Sequence, residues 1–482
     1  MLKAKNTKCV ILLMLFAIGG CGTPYILPSS SSKGAMATLP EEASNRIVGV
    51  AISGGGSRAA TFTAAVLREL AMIDVGGAEG HVSFLEKIGY MSSVSGGSLA
   101  GAYYAVKKPE KGIPILDGDA HLSSDYVDFF KNYRIDMERD WEGSLWSLAI
   151  GDSTARANTI IAQWDKHLFH NATFRDLRKR EEAGDAPRMI LNGTSWDTGR
   201  RFLFTTLPKS SFSYEFVGAT EKYLENYLPK KEYQRIEYRL RPERERFNPL
   251  TFEDIQADLG PLNISVAVAS SSSVPLVLGP VLYKVGDKGN AGPYLHIGDG
   301  GMFDNLGIES LAQVFFEKLR SKEDGPPTKD KGLIVVIDAS YPFGSADESY
   351  GKARNLLELL KQSPSRISDI MEQRAQSYQL LLWGILRADS IRGPQIVPDP
   401  EHLQIVYLRH TDGAAAIVRN PPEKCKSRKG WDSTQDGVQG ALSHIPTRFR
   451  IEKNCNAAML EMAAKEVVSM NKERILQFFR GN

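Results

Sequence analysis

The strongest pattern in the chain is an unbroken apolar run over residues 47–52, stopped by Gly54, Gly55 and Gly56. A strand buried on both faces reads this way, because neither face meets water. The residues after the glycines, rich in Ala and Leu, predict a helix over 59–70. The plan then repeats. A short strand is expected over 88–94, a turn at Ser95, Gly96 and Gly97, and a small-residue helix over 98–106. Two strand–turn–helix units in succession predict an α/β fold with a mainly parallel central sheet.

Further along, the pattern is less regular. Residues 107–180 read as mostly helical with many aromatics, and 189–193 with 201–205 as a strand pair. Residues 208–260 read as a long irregular region with a charged stretch over 230–246. Residues 263–269 are apolar again and lead into a run of serines at 270–273. Strands are expected over 294–297, 332–337 and 403–408. Helices are expected over 350–386 and 456–479. No internal repeat is visible.

Residues 1–20 stand outside this pattern. Lys3, Lys5 and Lys8 precede a nine-residue apolar core over 10–18, and small residues follow. Crossing about 30 Å of hydrocarbon takes roughly 20 residues, so the run predicts an export leader, not a membrane span. The sequence Ile18-Gly19-Gly20-Cys21 resembles a bacterial lipobox. Small residues there admit the peptidase, and the Cys21 thiol carries the lipid; an ordinary leader with a chance cysteine is the alternative. Gly22, where an aspartate would signal inner-membrane retention, favours the outer membrane if the cell is Gram-negative. Residues 21–45 hold Pro24, Pro28, Pro40 and four consecutive serines, and predict a flexible tether reaching roughly 25–30 Å.

Composition adds bounds. With 482 residues, 42% hydrophobic and 24% charged, the chain suits one large or two ordinary globular domains. The formal charge of +2 becomes −1 once the leader's three lysines are removed, leaving no field to attract nucleic acid. Of four cysteines, Cys9 leaves with the leader and Cys21 takes the lipid. Cys425 and Cys455 remain as an even pair in an oxidising compartment, which predicts a disulfide, with two free thiols as the alternative. Eight scattered histidines show no metal-ligand spacing.

Three short motifs carry the chemistry. The loop Ser53-Gly54-Gly55-Gly56-Ser57-Arg58 sits between a buried strand and a helix. Glycines let backbone N–H groups converge, and the helix start adds its own, so the loop suits an anion, a developing oxyanion or a phosphate, with mere tight packing as the alternative. A phosphate loop would need a lysine that is absent here. Ser93-Val94-Ser95-Gly96-Gly97 lies at a strand-to-helix turn, where a nucleophile needs small neighbours. Gly298-Asp299-Gly300-Gly301 places an acid at a strand end, or forms a plain β-turn.

Together and in this order, the three motifs resemble the patatin-like phospholipases. That family carries a D-G-G-G-x-R/K loop, a G-x-S-x-G serine and a distant D-G-G/A aspartate. Weaker echoes are Asn192 with Asp197 and Gly199, the segment 267–275, and Asp304-Asn305-Leu306. Ser53 and Ser93 depart from the family's usual residues. The resemblance covers residues 46–345. It implies a three-layer α/β/α fold and a lipid acyl hydrolase of phospholipase A or lysophospholipase type. It further implies a dyad of Ser95 and Asp299 without a catalytic histidine, an oxyanion loop of Gly54, Gly55, Gly56, Ser57 and Arg58, and no cofactor or metal.

The expected organisation is therefore a leader (1–20), a tether (21–45), a catalytic domain (46–345) and a helical extension packed on it (346–482). Two other functions stay open. One is an α/β-hydrolase triad drawing on His402, His410 or His444, which lie downstream of the serine. The other is a non-catalytic lipoprotein that binds lipid. Tyr126, Phe129, Phe130, Tyr133, Trp141 and Trp146 suit either an interfacial cap or core packing.

Overall fold

One sheet organises the molecule. Its nine strands are β1 (Tyr25–Leu27), β2 (Arg46–Ile52), β3 (Tyr90–Val94), β4 (Arg188–Ser195), β5 (Arg201–Thr205), β6 (Val281–Val285), β7 (Tyr294–Asp299), β8 (Lys331–Asp338) and β9 (Leu403–Arg409). The computed structural model describes residues 24–30, 44–77, 80–143, 153–215, 225, 228–274, 277–286, 293–319, 329–340, 402–428, 430–452 and 455–480. The strand order is β1-β6-β7-β4-β3-β2-β8-β9, with β5 on the other edge of β4. Five pairings are parallel; β5 and β7 run antiparallel to β4, and β6 antiparallel to β7.

Six helices matter below: α1 (Gly56–Ala71), α2 (Gly96–Lys107), α3 (Ser124–Met137), α4 (Ile264–Ser271), α5 (Ile308–Leu319) and α6 (Asn456–Arg480). Alternate residues of β2 point to opposite sides, as a pleated strand requires. Val48, Val50 and Ile52 join a core with Val66 and Leu67 of α1, Leu99 of α2 and Leu460 of α6. Ile47 and Ala51 join a second core with Leu311 and Phe315 of α5. Gly49 fits because a Cβ there would lie 2.9 Å from the Phe315 ring. The result is three layers, helices on both sides of a mostly parallel sheet. Each buried Val, Leu or Ile contributes roughly 1.5–3 kcal/mol, so β2, apolar after Arg46, belongs inside the sheet.

The structure corrects several expectations. The tether is not free throughout: Tyr25, Ile26 and Leu27 pair in parallel with Tyr283, Lys284 and Val285, and Leu27 is buried. Three apolar residues suffice because the edge of β6 offers ready-made partners. Residues beyond 345 are no mere extension, since β9 continues the sheet beside β8 and α6 packs on α1. The charged stretch expected to be irregular is a helix, Lys230–Phe247, and the apolar 263–269 region is helical as α4. Tyr126, Phe129, Phe130, Tyr133 and Trp141 are buried, with Tyr103 stacked on Tyr133 at 4.9 Å; they form core, not an exposed cap. Trp146, Cys21, the leader and the helix expected over 350–386 lie outside the described residues.

Candidate active site

Register alone brings the serine and the aspartate together. On β4, Asn192 pairs with Val94 of β3, and the next residue, Gly193, pairs with Asp299 of β7. Both residues also pair with β5, at Leu203 and Phe202. A strand has only two edges, so β3 and β7 must share the one that β5 does not occupy. They arrive along it from opposite directions and stop end to end. Ser95, the residue after Val94, therefore faces Asp299.

Backbone geometry marks the same point. Ser95 has φ 52 and ψ −126, a conformation that costs a non-glycine residue about 1–3 kcal/mol and needs surrounding structure to hold it. That structure is visible. The Ser95 N–H donates to Ser271 Oγ of α4 at 3.1 Å, and Ser271 Oγ donates in turn to the Asn192 carbonyl at 2.5 Å. Asn192 Nδ2 donates to Ser92 Oγ and to the Ser93 carbonyl. Gly96 and Gly97 are required by close approach: a Cβ on Gly96 would lie 2.0 Å from the Gly56 carbonyl oxygen, and one on Gly97 2.4 Å from that of Ser53.

The glycine loop therefore lies against the serine turn, and its N–H groups divide into two sets. Gly54 N–H donates to the Asn305 carbonyl at 2.9 Å, and Ser57 N–H to the Arg448 carbonyl at 2.7 Å. These two are committed to the fold, which narrows the expected five-residue oxyanion loop. The N–H groups of Gly55 and Gly56, and that of Gly96 after the serine, have no acceptor among the described residues. Gly55 (φ 139) and Gly56 (φ 58) use backbone conformations that only glycine adopts readily. The Arg58 side chain is buried and donates to the carbonyls of Ala339 and Ile445, so it braces the loop from behind.

Asp299 is buried, and burial pushes its carboxyl up to about 7, against the pull of the Gly301 N–H and the Ser95 hydroxyl. Gly301 N–H donates to Oδ1 at 2.8 Å. Oδ2 is enclosed without a partner at full hydrogen-bond distance, leaving it open to accept from Ser95 when the contact tightens. Thr194 Oγ1 donates to the Asp299 carbonyl at 2.8 Å and fixes the strand end. Asp304 caps the following turn, accepting from the N–H groups of Leu306, Gly307 and Glu309. The arrangement thus sets a serine hydroxyl beside a buried carboxyl whose proton affinity is raised, with nearby backbone N–H groups that have no acceptor among the described residues.

The downstream histidines are engaged elsewhere. His402 Nδ1 meets the Asp330 carbonyl, His444 Nδ1 the Gly440 carbonyl, and His410 Nδ1 the Asp338 carbonyl. His410 is also buried, and burial together with Arg58 lowers it to about 4. Sequence reasoning missed the bracing roles of Ser271, Thr194 and the Asn305 carbonyl. Only the serine run and the Asp304-Asn305 pair hinted at them. Cys425 and Cys455 are joined by a disulfide with Cα atoms 4.8 Å apart. A cavity of about 750 Å³ opens at the opposite ends of the strands, lined by Gly89 and Arg188, and includes neither Ser95 nor Asp299.

A family model described as patatin-like phospholipase matches residues 50–312. No curated protein matches the chain. Among solved structures, human GIVD cytosolic phospholipase A2 is similar at 11% identity and TM-score 0.39, over 90% of this chain and 60% of that one. The same human protein in complex with methyl gamma-linolenyl fluorophosphonate and terbium chloride matches at 15% identity and TM-score 0.39, over 93% and 61%. Its complex with the fluorophosphonate gives 11% identity and TM-score 0.40, over 90% and 59%. The chain thus spans about three fifths of the length of those structures.

Proposed function

The chain belongs to the patatin-like phospholipase family, and on that premise we propose that it hydrolyses acyl-lipid esters with Ser95 as nucleophile and Asp299 as base. Asp299 Oδ2 takes the Ser95 proton as Oγ attacks the ester carbonyl. The N–H groups of Gly55, Gly56 and Gly96 hold the oxyanion that forms. The tetrahedral intermediate collapses, the leaving alcohol takes the proton back from Asp299, and the acyl group stays on Ser95. Water then attacks the acyl-enzyme and gives a proton to Asp299; as the second tetrahedral intermediate collapses, that proton passes to Ser95 Oγ, the bond from Oγ to the acyl carbon breaks and the fatty acid leaves.

The observation that carries this reading is the strained Ser95 set end to end with a buried carboxyl near pKa 7. A carboxylate at its ordinary value of about 3.9 would be a poor base at neutral pH. Phospholipids and lysophospholipids are the substrate class the family reading favours. The lipobox-like sequence supports an exported lipoprotein anchored through Cys21, at the outer membrane in a Gram-negative cell. The test is a fluorophosphonate label mapped by mass spectrometry, with products from a mixed lipid extract compared between wild type and Ser95→Ala. Label on Ser95 and fatty acid released by wild type only are expected. No label and equal products would overturn the reading.

A further inference from the structure

Residues paired across a ladder share one face of the sheet. In the β1–β6–β7 corner, Ile26 pairs with Lys284, Lys284 with Tyr294, and Leu282 with His296. The alternate residues Tyr25, Tyr283 and Leu295 form the inner face, and the Tyr283 hydroxyl meets Ser270 of α4 at 2.6 Å. The outer face is partly exposed among the described residues. Ile26 is 44% exposed and Tyr294 56% exposed. Trp196, 43% exposed, donates its backbone N–H to the His296 carbonyl. Its indole covers Gly298, where a Cβ would come within 1.9 Å of the ring nitrogen. The Lys284 ammonium lies 5.8 Å from the Tyr294 ring centre. One face thus presents an aliphatic side chain, two amphipathic rings and a long-stemmed cation, beside the exposed pair of His296 and Asp197. Trp, Tyr and Lys gather where a protein meets lipid headgroups, because each joins an apolar body to a polar tip.

Chain length points to the same face. Only Gly22, Thr23 and Pro24 separate Cys21 from Tyr25. Tyr25 is fixed, since its hydroxyl donates to Asn158 Oδ1 at 3.0 Å and β1 pairs with β6. A residue spans at most about 3.5 Å, so the Cα of Cys21 lies within roughly 14 Å of that of Tyr25. A lipid on Cys21 cannot hold the domain far from its bilayer, and the part nearest the bilayer is this corner.

We propose that the outer face of β1, β6 and β7, with Trp196 and Tyr294 at its centre, rests on the surface of the bilayer that holds the Cys21 lipid. This rests on the reading of Cys21 as lipidated. The strand that presents Tyr294 to the membrane ends at Asp299, so the ester-cleaving site and the lipid surface share β7.

The experiment uses the full lipidated chain on phosphatidylethanolamine–phosphatidylglycerol vesicles carrying a nitroxide-quencher lipid. A fluorophore is attached in turn at Ile26→Cys, Tyr294→Cys and, as a distant control, Met470→Cys on α6, where Met470 is 61% exposed. Strong quenching at positions 26 and 294 with little at 470 is expected. Equal quenching at all three, or more at 470, overturns the proposal, as does a wild-type chain that fails to associate with vesicles. In a second arm, a flexible spacer of about 12 residues is inserted after Thr23, adding roughly 20 Å of reach. Hydrolysis of vesicle lipid should fall several-fold while hydrolysis of a water-soluble ester is unchanged. Unchanged vesicle hydrolysis counts against the proposal. Absence of all ester hydrolysis strikes the catalytic reading alone, and the quenching arm still decides the orientation.

Discussion

The carboxyl of Asp299 makes sharp predictions because burial raises its proton affinity so far. Its pKa is about 7 folded and about 3.9 in an unfolded chain. Between those values the folded state binds more protons than the unfolded state, so folding stability falls as pH rises through that window and levels above it. A tenfold change in proton affinity is worth about 1.4 kcal/mol, which sets a ceiling of about 4 kcal/mol for the whole effect. In Asp299→Asn this cost is absent. Melting temperatures of variant and wild type, measured across pH, should therefore diverge in the variant's favour from about pH 4 to about pH 7 and run parallel above. Activity has the opposite dependence on the same proton. In wild type, kcat/KM should rise with pH through about 7; in Asp299→Asn it should be lower by about 10²-fold or more above that pH, with the gap narrowing as pH falls and the wild-type carboxyl takes its proton. A rise centred near pH 4 would show that the base is not the buried carboxyl. Gly96 gives a steric prediction. In Gly96→Ala, the new methyl must displace the Gly56 backbone, so ester hydrolysis should be lost. A variant with wild-type rates would contradict the close packing of the two loops.

At the scale of elements, hydrophobic pattern and burial agree where a strand is covered on both faces. β2 and β8 are legible from the apolar runs 47–52 and 332–337 because both of their faces are in core, whereas β3 is equally buried but carries Ser92 and Ser93 in its middle. β6 is not, because it alternates buried and half-buried residues beside an exposed surface. β1 is invisible to periodicity, since three residues make no period and their strand character comes from the edge they join. Its contribution can be measured. Leu27→Ala should lower stability by about 2–5 kcal/mol in denaturant titration, the usual range for emptying a buried leucine site. A change near zero would mean that β1 docks without bearing on the core.

The whole molecule is more unified than its motif map suggests. The expected catalytic boundary at residue 345 cuts through the sheet between β8 and β9. It would also remove the carbonyls of Ile445 and Arg448 that hold Arg58 and the Ser57 N–H. A chain ending at residue 345 should therefore be insoluble or inactive rather than a minimal enzyme, as expression followed by fluorophosphonate labelling would show. The disulfide closes a loop of 30 residues in that same region, and by the loop-entropy rule its reduction should cost about 3–4 kcal/mol. Comparing melting temperatures of the oxidised protein and a Cys425→Ala/Cys455→Ala double variant tests this, and equal values would refute it.

What the sequence by itself determined is local. Three glycines, a serine at a strand-to-helix turn and an aspartate between glycines are constraints on backbone conformation and close approach. Such constraints act over a few residues and leave a readable signature. Tertiary structure decided everything that depends on partners distant along the chain. It placed Asp299 against Ser95 by making β3 and β7 meet on one edge of β4. It committed the Gly54 and Ser57 N–H groups to carbonyls of residues 305 and 448, leaving Gly55, Gly56 and Gly96 for an anion. It moved the Asp299 proton affinity toward neutrality by burial, which no neighbour in sequence could do. It also drew Tyr25, Ile26 and Leu27 of the supposed tether into an edge strand, because hydrogen-bonding groups at a sheet edge attract whatever short extended segment can reach them.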